Sequence, residues 1–129
     1  MSESLNTQQS ALFKEGLQCF NQAAYFDCHE FWEALWMQLK DPDKRFLQGL
    51  IQLSVACYHA SNQNFKGASS LMQASYDKLT EATYSPWVDT QDLLPKIEVY
   101  LAELRQWQTR SPDHAYQQWQ LDARPSVCP

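Results

Sequence analysis

Residues 25–36 read YFDCHEFWEALW, and the spacing of their apolar and ionisable side chains predicts a helix. Side chains four residues apart lie one above the other on a helix, so His29 and Glu33 share one stripe. Phe26 and Trp36 belong to the same stripe, three residues before and three after the pair. We interpret this stripe as an inward face, where ionisable groups are costly unless they are paired, hydrogen-bonded or bound to a metal.

Helical periodicity continues on both sides of this segment, and the period-2 alternation of strands is not evident. The short connections imply antiparallel neighbours, so the second and third predicted helices form a hairpin around Pro42. The core stripe of the second helix includes Cys28, Trp32 and Leu35. Five helices are predicted in all, at about residues 8–20, 24–39, 44–60, 65–82 and 90–109.

This pattern predicts an all-α fold, namely a single-domain antiparallel helical bundle of about five helices. A chain of 129 residues that is 44% hydrophobic can bury one core, so residues 1–129 are expected to form one domain. The motif-bearing core covers about residues 8–109. The proline-containing tail, residues 110–129, is expected to pack as an irregular strap.

The charge of the chain argues against two classes of partner. Ten Lys and Arg stand against fifteen Asp and Glu, which gives a net charge of −5, and no basic run exists. Nucleic acids and anionic membrane surfaces attract clustered Lys and Arg, so we expect neither as a partner. Residues 46–65 carry no charged side chain, but their Gln and Asn residues make them too polar for a membrane span.

The cysteines and the first residues indicate the compartment. The four cysteines show neither a Cys-x-x-Cys pair nor a zinc-finger spacing. The chain begins Met-Ser-Glu-Ser, without the basic and apolar regions of a signal peptide. We therefore expect a reducing, cytoplasmic setting.

The third predicted helix carries a polar stripe of its own. Gln48, Gln52, Val55 and His59 are spaced by four, three and four residues, so they share one face. A tight turn near Pro42 would place this face beside the stripe of the second helix. The predicted cluster consists of His29, Glu30, Glu33, Gln52 and His59, with Gln48 at its edge.

Three interpretations of this cluster remain open. In the first, His29, Glu33, His59 and Glu30 bind a divalent transition metal such as zinc, iron, manganese or nickel, as carboxylate–histidine sites in bundles do. In the second, His29 is held by Glu33 and acts as an acid–base catalyst. In the third, the pair and the glutamines only satisfy one another. No nucleophile elbow, phosphate loop or Ser-x-x-Lys motif is present, so no catalytic residue is identified and enzymatic activity is left open.

Several segments together resemble a prokaryotic family, the domain of unknown function numbered 309 (DUF309). The resemblance covers about residues 13–80 and rests on a combination of blocks. These blocks are Phe20-Asn21, residues 25–30 (YFDCHE), residues 32–36 (WEALW), residues 46–53 (FLQGLIQL), Tyr58-His59 and residues 64–68 (NFKGA).

The resemblance implies a small all-helical protein with no established activity. The hallmark of the family is His-x-x-x-Glu-x-x-Trp (or Tyr), for which metal binding is proposed, and it maps onto His29, Glu33 and Trp36. Relatives usually carry Gly in the turn before this signature, where the present chain has Ala23 and Ala24. The resemblance therefore adds weight to the metal interpretation.

Two functional hypotheses follow. The first is a polar pocket between the second and third helices that binds a divalent metal and is lined by Phe26, Trp36, Gln48 and Gln52. The alternative is a helical protein–protein interaction module in which the His/Glu cluster is purely structural. Two hairpins, each entered by an Asn and an aromatic residue, resemble tetratricopeptide-type pairs, although a clean 34-residue repeat is lacking.

Exposure should distinguish the two hypotheses. A metal or small-molecule site should show a concave polar pocket at His29, whereas an interaction module should expose apolar surface. Self-association through the aromatic surplus of five Trp, six Tyr and six Phe is a third hypothesis, which would make the chain a homo-oligomer.

Overall fold

The structure is a computed structural model that describes residues 5–81 and 88–107. These residues form five α-helices and no strand, which confirms the predicted all-α bundle. The predicted strap, residues 110–129, lies outside the described residues. The helices are α1 (Thr7–Asn21), α2 (Tyr25–Trp36), α3 (Asp43–Ser61), α4 (Phe65–Thr80) and α5 (Thr90–Trp107).

The helix α2 ends at Trp36, three residues before the predicted end. The amide of Gln38 bonds the carbonyl of Leu35 at 2.9 Å, and the amide of Leu39 bonds the carbonyl of Trp36 at 3.2 Å. These bonds span three residues instead of four, so the last turn is tightened and the chain leaves the helix before Pro42.

Each helix packs chiefly against its neighbours in sequence, α1 on α2, α2 on α3, α3 on α4 and α4 on α5. The helices α2, α3 and α4 therefore have neighbours on two sides, and Leu47, Leu50 and Leu53 of α3 are fully buried. None of the helices in residues 5–81 and 88–107 is long and apolar enough to cross a membrane.

Trp32 anchors α2 to α1. Its indole Nε1–H donates a hydrogen bond to the carbonyl of Phe13 at 3.1 Å, and its ring stacks on the rings of Phe13 and Phe20. Gly16 makes room for the indole, because a Cβ atom at that position would overlap the ring. The packing of α1 on α2 thus depends on the fit of the Trp32 indole against Gly16.

The two hairpins α1–α2 and α3–α4 repeat the same pattern of burial forty residues apart. Every residue that is buried in α1 or α2 has a buried counterpart forty positions later. The pairs are Phe13/Leu53, Gly16/Ala56, Leu17/Cys57, Phe20/Ala60, Tyr25/Phe65, Cys28/Ala68, Trp32/Met72 and Leu35/Ser75. The same spacing extends to α5, where Leu93 and Ile97 lie forty residues after Leu53 and Cys57 and are also buried.

The turns within the two hairpins are also equivalent. Ala23 and Gln63, forty residues apart, both have a φ angle of 65°, in the left-handed region. The amide of Ala24 bonds the carbonyl of Cys19 at 2.8 Å, and the amide of Asn64 bonds the carbonyl of His59 at 2.9 Å. The described residues therefore form two equivalent helical hairpins followed by one further helix.

Candidate functional site

Two contacts between α2 and α3 define a surface strip. The rings of Phe26 and Tyr58 lie with their centroids 6.2 Å apart at one end. At the other end, the Lys44 ammonium lies 4.2 Å from the centroid of the Trp36 ring. We call this strip the α2–α3 seam, and at 1.5 Å per helical residue its length from Phe26 to Trp36 is about 15 Å. Its residues are Phe26, His29, Glu33, Trp36, Lys44 and Tyr58.

His29 and Glu33 lie in the middle of the seam. His29 Nε2 is 2.9 Å from Glu33 Oε2, and the two side chains are 32% and 53% exposed. The expectation of an inward face was therefore wrong for this pair. Cys28, Trp32 and Leu35 occupy the core stripe of α2, so the neighbouring stripe lies at the boundary with solvent.

The partner of His29 comes from its own helix and not from α3. His59, the predicted second imidazole, instead lies beside the α3–α4 turn, where Asn64 Nδ2 is 3.4 Å from its Nδ1. Glu30 is exposed on α2. Within the described ranges, no group of three or more His, Cys, Asp or Glu side chains could hold a metal ion. The four predicted ligands therefore do not come together in one metal site.

The predicted lining residues occupy different environments. Phe26 is 58% exposed, which contradicts its expected place on an inward face. Trp36, Gln48 and Gln52 are half-buried. Two of their polar atoms, Trp36 Nε1 and Gln52 Oε1, are buried and have no hydrogen-bond partner. A buried polar atom without a partner costs about 1–3 kcal/mol, so these two atoms retain hydrogen-bonding capacity.

Two residues of the seam, Lys44 and Tyr58, belong neither to the predicted cluster nor to the predicted pocket lining. Tyr58 is in fact 40% exposed and contacts Phe26 across the seam. The signal that could have found it is its position, because the short connection at Pro42 brings the end of α3 opposite the start of α2.

The surface of α2 is acidic. No Lys or Arg occurs between Lys14 and Lys40. Asp27, Glu30 and Glu33 are all exposed on α2. The negative electrostatic potential along this helix favours positively charged ligands.

The Cys28 thiol lies in the core stripe of α2, next to the seam. Cys19, Cys28 and Cys57 form no disulfide bond with one another. Burial, with a smaller contribution from Cys19, raises the pKa of the Cys28 thiol far above its ordinary value. A thiol in that state is a poor nucleophile, so Cys28 acts as a small core residue.

Comparison with known proteins finds a family match over part of the chain and no activity. Residues 13–71 match the sequence profile of the family described as "Domain of unknown function (DUF309)", which confirms the resemblance, and this region contains the whole seam. The uncharacterised protein YpuF of Bacillus subtilis (strain 168) is 48% identical over 54 residues. That alignment covers 40% of this chain and 30% of YpuF. No solved structure matches the chain.

Proposed function

We propose that this chain, with its DUF309-type region, is a helical protein–protein interaction module and that the α2–α3 seam is its binding surface. One observation carries the proposal. Phe26 and Tyr58, which are 58% and 40% exposed, lie side by side across the seam. Exposed aromatic side chains that lie next to polar groups are typical of the residues that dominate binding energy at interfaces.

The His29–Glu33 pair gives this surface a polar centre. Glu33 holds the imidazole at 2.9 Å, while about a third of the His29 side chain remains open to solvent. The ring of Phe26 lies 6.3 Å from the imidazole, centroid to centroid. A partner that covers the aromatic pair would therefore also reach the imidazole, which can donate or accept a hydrogen bond.

Site-specific photo-crosslinking in the cells that produce the protein tests this proposal. A benzophenone amino acid replaces Phe26 in one variant and Val99 in the other. Both positions are 58% exposed, but Val99 lies on α5, so it controls for chance collisions. We expect a discrete crosslinked protein at position 26 and none at position 99. Equal crosslinking at both positions, or no discrete product at position 26, would refute the proposed surface.

A second candidate function, divalent-metal binding, rests on the geometry of the same pair. Bonds of about 2.0–2.2 Å from a metal to nitrogen and oxygen place adjacent ligand atoms about 3 Å apart. The separation of 2.9 Å between His29 Nε2 and Glu33 Oε2 fits two neighbouring ligands of zinc, iron, manganese or nickel. Glu30 and His59 would contribute only after rearrangement, so the site would be a two-residue chelate.

A zinc titration by calorimetry of protein purified without a His tag tests the metal candidate. If the pair binds zinc, His29→Gln should weaken binding about tenfold or more, because it removes one of two ligands. His59→Gln is the matched control and should leave the affinity unchanged. Absence of heat, together with an unchanged melting temperature in zinc, would exclude the candidate.

The proposal also includes a cytoplasmic location and a protein partner. A cytoplasmic location fits Cys19, Cys28 and Cys57, which form no disulfide bond with one another. The net charge of −5 supports a protein partner over a nucleic acid.

A further inference from the structure

The forty-residue repeat allows the α2–α3 seam to be compared with the matching positions of the second hairpin. Gln73 and Tyr76 of α4 are the counterparts of Glu33 and Trp36 of α2. Both bond to the next helix. Arg105 Nη2 donates to Gln73 Oε1 at 2.6 Å, and the Tyr76 hydroxyl donates to Glu98 Oε2 at 2.9 Å. The polar side chains of α4 thus hold α5 in place.

The counterparts on α2 do not bond to α3 in this way. Glu33 is paired with His29 of its own helix, and its side chain remains 53% exposed. Trp36 contacts α3 through the Lys44 ammonium, 4.2 Å from its ring, and its buried Nε1 has no hydrogen-bond partner. Equivalent positions therefore hydrogen-bond α4 to α5, whereas on α2 they leave the Glu33 carboxylate half exposed to solvent.

The charge distribution identifies what kind of molecule fits. The exposed carboxylates of Glu30 and Glu33 lie on the same side of α2 as Phe26, and Lys44, the cation that the seam itself contains, lies against Trp36 at the other end. A second copy of this chain would bring its own net charge of −5 to this acidic face, and like charges repel. A partner with basic side chains is attracted to the same face.

We propose that the α2–α3 seam binds a basic, amphipathic segment of another protein. This inference rests on the proposed function and specifies the chemistry of the partner. Arg or Lys side chains of the segment pair with Glu30 and Glu33, and an apolar side chain packs on Phe26 and Tyr58. A seam of about 15 Å accommodates about ten residues of helix.

Fluorescence anisotropy with two labelled helical peptides tests the inference. One peptide of about twelve residues carries leucines on one face and arginines on the other, and its twin carries glutamate in place of arginine. We expect the arginine peptide to bind at least about tenfold more tightly, and its affinity to fall with added salt. The full chain is used throughout.

Charge variants assign the binding to the seam. Glu30→Gln combined with Glu33→Gln should weaken binding of the arginine peptide about fivefold or more. The matched control, Glu15→Gln combined with Asp92→Asn, removes two exposed carboxylates outside α2 and should leave the affinity unchanged. Circular dichroism of each variant checks that the helices are intact. Equal affinity for the two peptides, or equal loss in both double variants, would overturn the inference.

The two proposals fail in different ways. A discrete crosslink at position 26 without a preference for the arginine peptide would overturn the basic partner and leave the binding surface standing. A preference for the arginine peptide that depends on Glu30 and Glu33 supports the partner chemistry on its own. If the same peptide also bound equally well to a Phe26→Ala variant, the apolar half of the inference would be wrong.

Discussion

At the scale of single residues, Ala23 is the clearest mismatch between side chain and backbone. Its φ angle of 65° lies in the left-handed region, where a Cβ atom approaches the following carbonyl oxygen. The resemblance to the DUF309 family pointed to this turn, because it implies Gly where the chain has Ala23 and Ala24. What it could not signal is that an alanine would keep the same turn geometry.

Replacing Ala23 with Gly should stabilise the protein. The substitution relieves the left-handed strain of about 1–2 kcal/mol, part of which is offset by the greater freedom of Gly in the unfolded chain, so we expect a net gain of about 1 kcal/mol. Urea denaturation measures the change. Ala34→Gly, on the exposed side of α2, is the control and should lose about 1 kcal/mol. A loss of stability in Ala23→Gly would contradict the assigned turn.

The His29–Glu33 pair shows what residue spacing can predict and what it cannot. Four-residue spacing on a helix brings the two side chains together, and they lie 2.9 Å apart. Spacing also predicted the core stripe of Cys28, Trp32 and Leu35, but it did not show that the neighbouring His29–Glu33 stripe lies at the boundary with solvent. The core stripe faces α1 at Trp32, whose indole packs there and donates to the carbonyl of Phe13.

At the scale of helices, the packing of α1 on α2 depends on a size match between Gly16 and Trp32. The equivalent positions of the second hairpin are Ala56 and Met72. Ala56 is larger than Gly16, and Met72 is smaller than Trp32. The helices of both hairpins were predicted from periodicity. Their likeness was noted from the Asn and the aromatic residue that begin each hairpin, but the forty-residue spacing was not predicted, because it lies in which positions are buried and not in residue identity.

The size match can be tested by a double-mutant cycle. Gly16→Ala should lower the free energy of unfolding by about 1–3 kcal/mol, because the new Cβ overlaps the indole. Combining it with Trp32→Met reproduces the residue pair of the second hairpin. The double variant should therefore be more stable than the sum of the single losses predicts, by about 1 kcal/mol or more. Additive losses in thermal or urea denaturation would contradict the proposed match.

At the scale of the whole molecule, the described helices pack chiefly in sequence order, so the main junctions join neighbouring helices. Stacked helix pairs of this kind create extended surfaces that can bind a partner. The all-α class and the five helices followed from periodicity and short connections. The open character of the α2–α3 seam did not, because it depends on whether side chains at equivalent positions bond across the junction.

Fluorine NMR at one position of the seam tests the binding surface most directly. A trifluoromethyl-phenylalanine replaces Phe26 in one sample and Val99 in the control sample, two sites of equal exposure. Spectra are recorded in buffer and in concentrated extract of the producing cells. We expect the signal at position 26 to broaden or shift in extract and to recover when unlabelled protein is added, while the signal at position 99 stays unchanged. An unchanged signal at position 26, or the same response at both positions, would contradict the account.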